Sequence, residues 1–328
     1  MPSAIMTPRG WVVAAIGVLG AAVAVRYFGD AVPQVAFEQH LSRETALAAA
    51  DSFARAHALP RGQARRAVRF GGDDSLQVFL ELGAGGKDSL NAVARGRDAA
   101  LFQWRVRDFT PGDVREVRVH FATDGRVTGF ERRLADADRR PAPDSAAAHA
   151  LADTVLQRWL QRDARRWRVV AHASLVVPAS GRTDRTFTYE RRDRRLGDAP
   201  IRLEVKLGGD LVTGAREFVK IPEAFVRRYA EMRAANDLTA LLAQLGFPLY
   251  ALVALVALAV YQRRGVVRWR PALIAAAVIG VLFGASSLNE MPLAWYGFDT
   301  AGTAGVFVAG QLVFAILGPV VQIGRAHV

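Results

Sequence analysis

The chain has 328 residues, 51% of them hydrophobic, and a formal net charge of +12 from 43 Lys and Arg against 31 Asp and Glu. It contains no cysteine, which excludes disulfides and thiolate metal sites in any compartment. The arginines are interleaved with acids, as in Arg191-Arg192-Asp193-Arg194-Arg195, and no aromatic-studded basic module is present, so nucleic acid is not expected as a partner.

Residues 1–28 read as a membrane segment. Trp11–Val25 is an apolar run behind Arg9, with Arg26 just beyond it. Ala22-Val23-Ala24 would serve as the cleavage site of a signal peptide, whereas Trp11, Tyr27 and Phe28 sit where the interfacial aromatics of a retained anchor belong. The anchor is the preferred reading, and both place the next segment outside.

From about Asp30 to Lys220 the pattern is soluble α+β, and one unit is expected twice, over 29–140 and 141–221. Ser42–Ala58 has an N-cap serine and an alanine-rich helical pattern. Ser75–Leu82, Phe102–Phe109, Val114–Ala122 and Val127–Leu134 follow as alternating segments. In Val117-Arg118-Val119-His120-Phe121 every second residue is apolar, as in a strand with one buried face. Ala135–Pro143 reads as a polar linker. Asp144–Leu160 is again helical, and Val169–Val177, Thr186–Glu190, Ile201–Leu207 and Leu211–Val219 again suit strands. The closing hairpins match best: Asp124-Gly125-Arg126-Val127-Thr128-Gly129 parallels Gly209-Asp210-Leu211-Val212-Thr213-Gly214, and Asp-Gly and Gly-Asp suit hairpin turns. A helix followed by an antiparallel sheet ending in such a hairpin resembles the PepSY-like, cystatin-type modules of exported bacterial proteins.

A juxtamembrane helix is expected over 222–244, opened by Pro222-Glu223. Phe225, Tyr229 and Met232 form a stripe at i, i+4 and i+7, which suits packing against the sheet better than a membrane surface. Three transmembrane helices are expected over 245–322, beginning with the apolar runs Leu245–Tyr261 and Pro271–Leu288, each close to the ~20 residues a crossing needs. Between those two runs, Arg263-Arg264-Gly265-Val266-Val267-Arg268-Trp269-Arg270-Pro271 holds four arginines, and short basic loops stay cytoplasmic. Residues 29–240 are therefore expected outside the membrane, which the resemblance to exported bacterial modules implies is the inner membrane of a bacterium. Asn289–Thr300 becomes an outer loop with an interfacial Trp295 and Tyr296, and Gly305–Val321 crosses back.

Chemistry is sparse. Histidines at 40, 57, 120, 149, 172 and 327 share no metal-binding spacing. Gly83-Ala84-Gly85-Gly86-Lys87-Asp88 lacks the hydroxyl residue of a phosphate loop and reads as a turn. Glu290 and Asp299 lie at a segment end and in a loop, where a carboxylate is cheap and a helix-terminus or packing role is expected. No catalytic, cofactor-binding or metal-ligating residue is assigned.

Phe218-Val219-Lys220-Ile221-Pro222-Glu223-Ala224-Phe225, Met232-Arg233-Ala234-Ala235-Asn236-Asp237 and Asn289-Glu290-Met291-Pro292-Leu293-Ala294-Trp295 resemble long bacterial members of the CPBP family, the intramembrane proteases related to type II CAAX endopeptidases (also called Abi). The resemblance implies an exported insert after the first helix, a protein or peptide substrate, the lipid bilayer as partner, and proteolysis by a metal-dependent or glutamic mechanism. The family's Glu-Glu-x-x-x-Arg and Phe-x-x-x-His motifs do not occur here. Ile323–Val328 resembles a translated sequencing adapter, so the chain is expected to be the N-terminal part of a longer protease, inactive by itself and holding no cofactor. The alternative is a non-enzymatic, membrane-anchored sensor or binding protein.

Overall fold

The computed structural model describes residues 8–31, 41–60 and 65–322. After the N-terminal helix α1 (Pro8–Ala31) comes a mixed α+β region. Its first half contains α2 (Arg43–Ala56), β1 (Arg65–Gly72), α3 (Asp74–Gly83), α4 (Gly86–Arg95), β2 (Phe102–Phe109), β3 (Glu116–Ala122) and β4 (Val127–Arg132). Its second half contains α5 (Ser145–Thr154), which runs into a π turn over Val155–Trp159, then β5 (Trp167–Val176), β6 (Thr183–Leu196), β7 (Ala199–Gly208) and β8 (Leu211–Val219).

The expected Ser42 cap forms, its side chain accepting from the Thr45 amide, and Asp144 caps α5 in the same way by accepting from the Ala147 amide. The small residues Ala46, Ala50 and Ala54 on α2, with Ala148 and Ala152 on α5, let both helices lie close against the sheet. Phe53, Phe121, Phe130, Phe187, Leu203 and Val205 fill the space between in one continuous core.

The two repeats are halves of one sheet. Each is a four-stranded meander, and the order β1-β2-β3-β4-β8-β7-β6-β5 joins them through an antiparallel pairing of β4 with β8. That joint is nearly self-symmetric, with Gly129 opposite Arg216, Phe130 opposite Ala215 and Glu131 opposite Gly214. The register shift between His120 and Phe121 in the first hairpin recurs between Lys206 and Leu207 in the second. Joining the halves removes two exposed edges, each of which would otherwise present an unpaired row of backbone groups.

Two local readings are corrected. Ser75–Leu82 is helical, as α3, because Asp73 caps it by accepting from the Leu76 amide, and Leu76, Phe79 and Leu80 then fall on one buried face. The first strand is instead Arg65–Gly72, a charged edge strand, and α3 with α4 is an insertion that interrupts the first repeat. Gly85 and Gly86 turn the chain between those helices at positive φ, in keeping with the turn read from sequence.

Three helices follow: α6 (Glu223–Arg263), α7 (Trp269–Ala294), extended by a 3₁₀ turn over Trp295–Gly297, and α8 (Ala304–Gln322). The juxtamembrane and first apolar segments are one uninterrupted helix of 41 residues. Two helical stretches, Glu223–Arg263 and Trp269–Gly297, are long and apolar enough to cross a membrane, and nothing among the described residues buries their apolar windows. Soluble-core helices would be buried. Ala15–Phe28 and Ala304–Ala315 are shorter apolar stretches. In the stripe on α6, Phe225 is buried in the core that the sheet shares with the helices, edge-on against Phe79 of α3, and Tyr229 packs against that core, whereas Met232 is exposed. The Ile323–Val328 tail, His40 and His327 lie outside the described residues.

Candidate functional sites on the open face of the sheet

Helices cover one face of the sheet. The other carries Arg65 and Ala67 of β1, Arg105, Arg107 and Phe109 of β2, and Glu116, Arg118 and His120 of β3, brought into line by the strand register. At the β1 end this face grips the loop between α7 and α8. Arg107 Nη1 donates to the carbonyl oxygens of Tyr296 and Phe298 at 2.8 and 2.7 Å, while its Nε donates to Glu116 Oε2 at 2.7 Å. Arg118 Nη2 meets the other Glu116 oxygen at 2.6 Å. The Arg65 guanidinium lies 3.8 Å from the centre of the Trp295 ring. Phe109 packs on Phe298 at 5.6 Å, and Gly112 donates its amide to the Thr300 carbonyl. Trp295 is therefore buried between loop and sheet, not placed as an exposed interfacial aromatic. Asn289–Ala294, read as loop, continues α7.

In the middle of the same face lies a hollow of about 250 Å³. Gly214 leaves its floor without a side chain, and His120, Arg216, Glu204, Lys206 and Glu131 stand around it. A neighbouring groove of about 580 Å³ shares His120 and Arg216 and adds Arg105, Arg118 and Lys220, with Tyr296 of the docked loop at its margin. His120 Nε2 and Arg118 Nε are buried and have no hydrogen-bond partner. Burial, reinforced by Arg105, Arg118 and Arg216, pushes the His120 imidazole from 6.5 down to about 4. The ring is neutral at pH 7.

That shift has a measurable consequence. Between about 6.5 and about 4 the unfolded chain takes up a proton at this position and the folded chain does not. Stability therefore falls as pH drops through that window, by roughly 2–3 kcal/mol. His120→Asn should flatten the decline. Equal slopes of melting temperature against pH in both proteins would refute the assignment.

The other histidines singled out in the sequence serve as aromatic partners. His57 stacks on Trp159 at 4.2 Å, and His172 on Phe187 at 4.7 Å. His149 lies 3.7 Å from Asp153, which also accepts from the Tyr189 hydroxyl at 2.8 Å. Burial and that carboxylate push the Tyr189 phenol up, away from any role as a base. Glu290 is exposed at the end of α7, and Asp299 Oδ1 accepts from the Ala301 amide in the loop turn. No group of three His, Asp or Glu residues able to hold a metal converges among the described residues. Sequence reasoning missed Arg105, Arg107, Glu116, Arg118 and Arg216. Their period-two placement was visible, but the neighbours that give it meaning were not.

An eight-stranded antiparallel α+β sheet riding on long apolar helices thus defines the class of this chain. Comparison with protein-family models, curated proteins and solved structures finds no match to it.

Proposed function

We propose that the chain is anchored in the inner membrane of a bacterium with residues 29–240 outside, and that it is the non-catalytic, substrate-facing part of a CPBP-type intramembrane endopeptidase. The observation that carries this reading is the grip of Arg107 on the α7–α8 loop. The loop and the four-arginine turn occupy opposite ends of α7, whose 26 residues extend about 39 Å. If α7 spans a bilayer, the sheet lies on the side opposite the arginines, the side expected from their charge. A sheet held on the outer loop of a helix bundle is positioned to admit or exclude a polypeptide approaching that bundle. The resemblance at Phe218–Phe225 and Asn289–Trp295 supplies the endopeptidase part of the reading.

Because the chain has no cysteine, single cysteines report topology without background. An impermeant thiol reagent added to intact cells should label Ser174→Cys on β5 and spare Val266→Cys in the arginine turn, and the reverse pattern overturns the orientation. The purified chain should cleave no peptide, since rate enhancements of roughly 8–23 kcal/mol need a convergent nucleophile, base and oxyanion donor. Peptide cleavage that Glu290→Ala abolished would overturn the non-catalytic role. A second reading, a non-enzymatic sensor or binding protein, is favoured by the hollow around His120.

A further inference from the structure

We propose that the hollow over the β4–β8 joint, together with the groove beside it, is a binding site for a phosphoryl anion. Two buried polar atoms on one face of β3, Arg118 Nε and His120 Nε2, have no partner. Buried polar groups of this kind are nearly always satisfied, and each costs about 1–3 kcal/mol when it is not. Both residues line the groove, so a ligand seated there lies beside them.

The charge around them is unbalanced. Among the described residues no ion pair is formed by Arg105, Arg216, Lys206 or Lys220. Arg216 only stacks on Phe218, 4.9 Å from the ring centre, and Arg105 reaches only the Gly72 carbonyl, at 3.4 Å. The acids nearby are Glu131, Glu204, Glu217 and Asp73: Glu131 lies 3.9 Å from Arg118, Glu217 is held by Arg126 and Arg162, and Asp73 is engaged as the cap of α3. The cleft on the helix-covered face is the contrasting case. It is of similar size, about 640 Å³, and Arg126 Nε there also lacks a hydrogen-bond partner, but its Arg97 is paired with Asp124, and its Arg126 and Arg162 with Glu217. The open face gathers four cations without an ion pair among the described residues, Arg105, Arg216, Lys206 and Lys220, against one, Arg158, in that cleft.

The donor set selects the ligand. One arginine fork satisfies a carboxylate, whereas the two guanidiniums of Arg105 and Arg216, with Arg118 Nε and an imidazole nitrogen around one space, match the several acceptor oxygens of a phosphoryl group. The hollow admits that group, and the groove leaves room for whatever it is attached to. Free phosphate and the headgroup of a phosphomonoester lipid offer the same chemistry.

The test uses the full chain in phosphatidylcholine nanodiscs. Its melting temperature is followed against inorganic phosphate, with chloride at equal ionic strength as reference. A parallel series uses nanodiscs that also contain phosphatidic acid. Stabilisation by free phosphate assigns the site to a soluble ligand, and stabilisation by phosphatidic acid alone assigns it to a lipid headgroup. In either case Arg216→Ala and Arg105→Ala should weaken the apparent affinity by at least about tenfold, while Lys87→Ala, on α4, leaves it unchanged. Arg216 is exposed, so its variant is expected to fold, and Arg105→Ala gives an independent reading. The proposal is overturned if neither anion source stabilises the wild type, or if both arginine variants respond as the wild type does.

Discussion

Replacing Arg107 by methionine is expected to free the α7–α8 loop from the sheet and to lower stability by about 3 kcal/mol. Arg107 and Glu116 side chains are 4% and 2% exposed, so the truncation leaves a carboxylate in a site water does not reach. Arg118 still reaches Glu116, which holds the cost near the lower end of the range for broken buried pairs. The carbonyls of Tyr296 and Phe298 also lose their donor. Arg107→Lys should restore little, because an ammonium does not reproduce a planar fork that binds two carbonyls and a carboxylate together. Limited proteolysis checks the result directly: new cleavage over residues 295–303 should accompany the lower melting temperature. A variant that melts and is cleaved like the wild type would show that the sheet does not hold the loop.

Gly129→Val and Gly214→Val should each cost about 3 kcal/mol, the upper range for overpacking. A Cβ at Gly129 would sit 2.7 Å from the Ala215 carbonyl oxygen, and one at Gly214 would sit 2.9 Å from that of Phe130. Both obstacles are backbone atoms of the partner strand, so no rotamer change relieves them. The two strands must move apart, and only three residue pairs hold them together. Gly71→Val is the control, since a Cβ there meets nothing nearer than 4.0 Å and the strand is an edge. It should change stability by less than about 0.5 kcal/mol. Equal melting temperatures for all three variants would mean that the joint tolerates side chains and that the halves do not depend on close approach.

Much of the secondary structure was legible because its causes are local. Ser42 and Asp144 each stand three residues before the amide they cap, and Val117, Val119 and Phe121 face the core as their alternation requires. The misreading of Ser75–Leu82 shows where such evidence divides. Leu76, Val78, Leu80 and Leu82 alternate like a strand, whereas Leu76, Phe79 and Leu80 are spaced like a helix, and the Asp73 cap decides between them. Arg65–Gly72 escaped notice because Arg65, Arg66 and Arg69 make a docked edge strand look like a polar connection. The resemblance to CPBP proteases concerned segments that hold no reactive residue, so it could not point to the open face.

By itself the sequence determined the Ser42 cap, the two hairpins with their repeated Val-Thr-Gly, the apolar helices and the four-arginine turn, since each rests on groups within a few residues of one another. The tertiary structure alone decided that β4 pairs with β8, that Arg107 reaches a loop about 190 residues away, and that Arg105, Arg118, His120 and Arg216 share one space. The reason is physical. Alternation assigns a side chain to a face of a strand, but the strand's neighbours and register are chosen by packing between distant segments, and the open-face groups become a site only when four strands lie side by side.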